Sequence, residues 1–98
     1  MGSGVTQELQ LEKLREAIDR VDTEILDLVA RRIGLVLQIA EHKRARLLPV
    51  YDPDRERDVI NRLIGLAPPH LDPQLVRRIF ERIIDESRRI EQHQNQST

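Results

Sequence analysis

Apolar residues recur at Leu11, Leu14, Ile18, Val21, Ile25, Leu28, Leu35 and Ile39. The steps alternate between three and four, with one gap between Leu28 and Leu35, which is the spacing of a single helical face. No proline interrupts the pattern, so it predicts one helix from about Gln7 to about Leu47, ended by Pro49 through its restriction on Leu48. A helix of about 40 residues is roughly 60 Å long. A compact globule of 98 residues is only about 30–35 Å across. The rest of the chain cannot close that gap. Asp52 as N-cap and Pro53 at the first helical position open a second helix, which Pro68-Pro69 stops after about Leu66. Asp72-Pro73 opens a third, to about Gln94. Two such helices cannot cover both ends of the rod, and apolar patches of that size are rare on monomers. The economical solution is a second copy against the first helix, an intertwined all-α homodimer with three helices per chain. A kink at Gly34 is the alternative.

The sequence divides into a flexible start over residues 1–8, a helical domain over 9–94 and a frayed end over 95–98. Met1-Gly2-Ser3-Gly4 reads as a cloning scar, with neither the basic region nor the apolar core of a signal peptide. No apolar run approaches the ~20 residues that span a bilayer, so a soluble, cytoplasmic chain with no membrane partner is expected. Two aromatics, Tyr51 and Phe80, and few turn residues argue against a β fold. A net charge of −1 lacks the basic excess of a nucleic-acid binder. Cysteine is absent, which excludes disulfides and thiolate chemistry, and His42, His70 and His93 have no metal-ligand spacing. Neither a metal nor a cofactor is expected.

Polar residues stand where the apolar lines call for buried ones. Adding seven to Leu11, Ile18 and Ile25 leads to position 32, and the chain supplies Arg32. Lys43 follows three turns later, only about 20° off the same line. Arg15 also borders the stripe, but about 25 Å before Arg32 and roughly 100° around the helix. It cannot serve its own chain's site, though it can serve a partner's. The third helix extends Val76, Ile79, Phe80, Ile83 and Ile84 to Ser87 and Glu91, a hydroxyl and a carboxyl in apolar places. The second opens with Asp52, Arg55 and Glu56, within reach of one another at i, i+3 and i+4. Singly, each has a bland reading: a snorkelling Arg32, Lys43 decorating a helix end, Asp52 as a cap beside an ordinary ion pair. Together they describe a pocket walled by Ile39 and Ile84 for a small, multiply anionic ligand.

These residues resemble a known pattern. Leu14-Arg15-Glu16-Ala17-Ile18-Asp19-Arg20-Val21-Asp22 looks like the opening motif of the all-helical chorismate mutases. The resemblance continues through Ala30-Arg31-Arg32, Lys43 and Val50-Tyr51-Asp52-Pro53-Asp54-Arg55-Glu56. It ends with Ile79-Phe80, Ile83-Ile84-Asp85-Glu86-Ser87 and Glu91, having covered residues 9 to 92 in order. It implies an intertwined dimer with two equivalent sites that rearranges chorismate to prephenate on the route to phenylalanine and tyrosine. It further implies that Arg15 crosses from the partner chain while Arg32 and Lys43 hold the substrate carboxylates. Lys43 also reaches the ether oxygen of the breaking bond, and Glu91 occupies the place from which a Gln or Glu contacts that oxygen. Asp52 and Glu56 would hold the ring hydroxyl and nearby backbone groups, Arg55 would support the carboxylate shell, and Ser87 would line the pocket.

The implied chemistry suits the residues. A unimolecular pericyclic shift needs no nucleophile, metal, cofactor or general base. It needs a compact conformer of a flexible dianion and positive potential where the ether oxygen gains charge. Arginine forks suit carboxylates, whereas a lysine supplies a point charge to one oxygen. Fourteen of the sixteen basic residues are Arg, yet position 43 is Lys. Two readings compete with the mutase: an isochorismate-pyruvate lyase on the same scaffold, and a non-catalytic regulatory or dimerisation module. The Asp52-x-x-Arg55-Glu56 run and Glu91 favour the mutase over the lyase, and a complete set of site cations favours an enzyme over a module.

Overall fold

The computed structural model describes residues 3–96. Among them the chain forms three α-helices and no strand: α1 over Ser3–Ala45, α2 over Pro53–Leu66 and α3 over Pro73–Gln96. Helix α1 begins ahead of the expected Gln7, and no proline lies in that stretch to stop it. It passes through Gly34 without interruption. Helix α3 extends two residues beyond Gln94, through part of the stretch expected to fray. Residues 1 and 2 of the expected cloning scar, and 97 and 98 of the expected frayed end, lie outside the described residues.

Helix α1 closes two residues earlier than Pro49 alone would dictate. The Leu48 N–H donates to Lys43 O at 2.8 Å and the Leu47 N–H to Arg44 O at 3.2 Å. This is the paired Schellman closure, which requires a left-handed residue between helix and loop. Leu47 takes that place with φ 55. A branched side chain is poorly suited to it, at roughly 1–2 kcal/mol. His42, Lys43 and Arg44 sit in the last turn, where cations complement the helix dipole.

The Asp-Pro starts behave as their chemistry demands. Asp52 Oδ1 accepts from the Arg55 N–H at 3.1 Å, and Asp72 Oδ1 accepts from the Gln74 N–H at 2.8 Å. Both carboxylates therefore satisfy amides that the first helical turn leaves open. Helix α2 ends at Ala67, which turns extended ahead of Pro68-Pro69.

The chain divides into two compact units, residues 1–34 and 35–98, and α1 crosses the boundary. In the second unit α2 packs on α3. Val59 and Ile60 meet Ile84, with Leu63, Ile64 and Phe80 around them. Burying each such side chain is worth about 1.5–3 kcal/mol. Val76 is also buried, but Ile79 is half exposed, against expectation. It lies one residue before Phe80, so about 100° around the helix and off the buried line. The α1 stripe behaves differently. All eight of its residues are 46–63% exposed, Ile39 among them.

Candidate active site

The six candidates in the 35–98 unit fall into two groups. The first centres on Lys43. Its ammonium donates to Val50 O at 2.9 Å and stands 3.1 Å from Glu91 Oε1, so one cation joins the end of α1, the connecting loop and α3. The approach to Glu91 is an ion pair without the alignment of a hydrogen bond, which leaves that buried carboxyl oxygen's hydrogen-bonding capacity unmet. Ser87 lies one turn before Glu91, and its hydroxyl donates to Ile83 O at 2.6 Å. Ser87 and Glu91 are 6% and 7% exposed. The expected burial of a hydroxyl and a carboxyl on the apolar line of α3 is what the structure shows.

The second group opens α2 and departs from expectation. Asp52 and Arg55 meet through the cap, side chain to backbone amide, and both are exposed. The carboxylate of Glu56 does not turn to its chain neighbour Arg55. Arg88 of α3 grips it instead, with Nε to Oε2 and Nη2 to Oε1, both at 2.9 Å. Nη2 of Arg88 also donates to Asp85 Oδ1 at 2.8 Å, and the guanidinium lies 5.0 Å from the centre of the Tyr51 ring. The hydrogen bonds that Arg88 donates to Glu56, opposed in part by burial and supported by Asp85, raise the Arg88 pKa above its ordinary value. Sequence reasoning missed Arg88, because an Arg88-Arg89 pair reads as a solvated face. Arg89 fits that description, pairing with Glu86 at 3.1 Å on an exposed flank.

Arg15 and Arg32 belong to the 1–34 unit. Arg15 stands 3.2 Å from Glu12, with both side chains mostly in water, and Arg32 is half-buried. No helix among the described residues is long and apolar enough to cross a membrane.

The family described as chorismate mutase type II matches residues 14–92, which include all eight candidates. The chain belongs to that family. The bifunctional chorismate mutase/prephenate dehydratase of Escherichia coli K12 is 40% identical over 84 residues, 85% of this chain and 22% of the relative. This chain therefore spans about a fifth of the length of that relative. The chorismate mutase of Methanocaldococcus jannaschii is 30% identical over 90 residues, 91% of each protein. Among solved structures, the Helicobacter pylori chorismate mutase in complex with prephenate superposes with a TM-score of 0.83 at 29% identity. That match covers 91% of this chain and 97% of the other.

Proposed function

We propose that this chain is a chorismate mutase, converting chorismate to prephenate by a unimolecular rearrangement in which the ether C–O bond breaks as a C–C bond forms. The buried Lys43–Glu91 pair carries the reading. A cation and an under-bonded carboxyl, both largely withdrawn from water, do little for an ordinary core and are expensive to bury. They are the groups that a transition state with a charge-gathering ether oxygen needs. Lys43 has three N–H donors. One goes to Val50 O and its charge faces Glu91, so the ammonium still has capacity for a ligand oxygen. Glu91 reaches the same ether oxygen from α3. Arg32 holds a substrate carboxylate, Asp52 and Glu56 engage the ring hydroxyl and nearby backbone groups, Arg55 supports the carboxylate shell and Ser87 lines the wall.

The working form is an intertwined homodimer, with Arg15 donated across the interface. The half-exposed stripe supports this, since eight Leu, Ile and Val residues at helical spacing form a face suited to a matching helix. The distance along α1 supports it too, because one chain's Arg15 lies about 25 Å from its Arg32. The test is loss of absorbance on adding the protein to chorismate and, separately, to isochorismate, with the products identified. Prephenate confirms the mutase, and pyruvate with a hydroxybenzoate, formed from isochorismate, marks a lyase. An inert protein refutes both.

A further inference from the structure

We propose that Arg88 is a positioning residue that fixes Glu56 in the orientation the ligand meets, an assignment that rests on the reading of the site given above. The fork engages both Glu56 oxygens at 2.9 Å, one through Nε and one through Nη2. Two parallel bonds fix the plane of the carboxylate as well as its place, which one bond cannot do. A carboxylate has about four acceptor positions. The fork takes two, and each oxygen keeps a lone pair for a hydroxyl donor. The fork is itself held, since Asp85 accepts from Nη2 at 2.8 Å and the Tyr51 ring covers the guanidinium at 5.0 Å. Glu56 and Arg88 are about three-quarters buried, so their charges are only partly screened.

The pairing also answers an electrostatic difficulty. Glu56 is an anion in a site meant for a dianion, and unpaired it would repel the ligand. Arg88 neutralises it without occupying its outward lone pairs. Glu56 can then hold a ring hydroxyl while the positive potential of Lys43 and Arg32 remains available to the carboxylates. Residue 88 thus acts on the ligand through residue 56, from 32 positions away in sequence.

Steady-state kinetics on the full chain test this, with helical circular dichroism of every variant as the check on folding. Hydroxyl binding is present in ground and transition states alike, so loss of the fork should fall on KM more than on kcat. Arg88→Lys keeps the charge and loses the fork, and should raise KM about tenfold with kcat within about threefold. Arg88→Met should raise KM further, and adding Glu56→Gln to it should bring KM back down, because the uncompensated carboxylate is gone. If Arg88→Met does not fold, Arg88→Lys decides alone. Folded Arg88 variants with KM unchanged overturn the assignment, and so does an Arg88→Met deficit that Glu56→Gln does not relieve. A parent without turnover overturns the reading of the site and this assignment with it.

Discussion

Removing Lys43 should damage the fold more than removing its partner Glu91. The two charges stand 3.1 Å apart, with side-chain exposures of 21% for Lys43 and 9% for Glu91. At an effective dielectric constant of ~20 their attraction is about 5 kcal/mol. Desolvation of both groups offsets much of it. The asymmetry lies in what each deletion leaves behind. Lys43→Met strands a buried carboxylate and also loses the bond to Val50 O, which should destabilise by about 3–5 kcal/mol. Glu91→Gln leaves an ammonium on a flexible stem with a route to water, and should cost only about 1 kcal/mol. The double variant buries no charge at this place and should recover most of the Lys43→Met loss. Urea unfolding of the parent and three variants, at one fixed chain concentration, measures all four states. Equal losses in the two single variants, or strictly additive losses in the double, would refute the argument. Lys43→Met should in addition turn over ~10²–10³-fold more slowly, because it removes a donor aimed at the developing charge.

Three further outcomes are expected. Arg15→Ala and Lys43→Ala chains, each inactive alone, should regain partial activity when unfolded and refolded together, because one site of the heterodimer carries both lesions and the other neither. Heterodimers that form and stay inactive would exclude a site shared between chains. Glu91→Gln, whose amide can donate a hydrogen bond, should keep kcat/KM within about tenfold of the parent, whereas Glu91→Ala should be far poorer. A Gln variant as poor as Glu91→Ala, or an Ala variant as active as the parent, would remove Glu91 from contact with the ether oxygen. Leu47→Gly should stabilise the chain by roughly 0.5–1 kcal/mol, since relief of the left-handed strain outweighs the extra backbone entropy of glycine. An unchanged or lower urea midpoint would show that Leu47 is not strained.

Much of the fold and part of the site were legible in the residues alone, for local reasons. Helix starts at Pro53 and Pro73 follow from Asp-Pro pairs, whose carboxylate caps an amide in the first turn and whose ring presets the first helical φ. Burial of Ser87 and Glu91 follows from periodicity, because i+3 and i+4 steps from Ile84 and Ser87 stay on one face. Lys43 stood out as a lysine among arginines on an apolar line, and it does meet Glu91. Ile79 was misplaced by the same rule, since a residue on the edge of a line is buried or exposed according to how far the neighbouring helix reaches.

Tertiary structure alone decided the partners. Arg55 and Arg88 are equally plausible mates for Glu56 on charge, and nearness along the chain favours Arg55. Adjacent helical residues point about 100° apart, however, so Arg55 is poorly aimed at Glu56. The packing of α2 on α3 through Val59, Ile60 and Ile84 brings Arg88 against both Glu56 oxygens, and a largely buried bidentate fork outweighs an exposed neighbour. The same holds for the end of α1. Pro49 announces that the helix must stop, but the Schellman bonds to Lys43 O and Arg44 O place the stop at Ala45 and put Leu47 in the left-handed region. A sequence states which backbone conformations and faces its residues favour, because those preferences act over one or two turns. Which charged group finally meets which depends on contacts 32 residues apart, and only the packed helices bring those together.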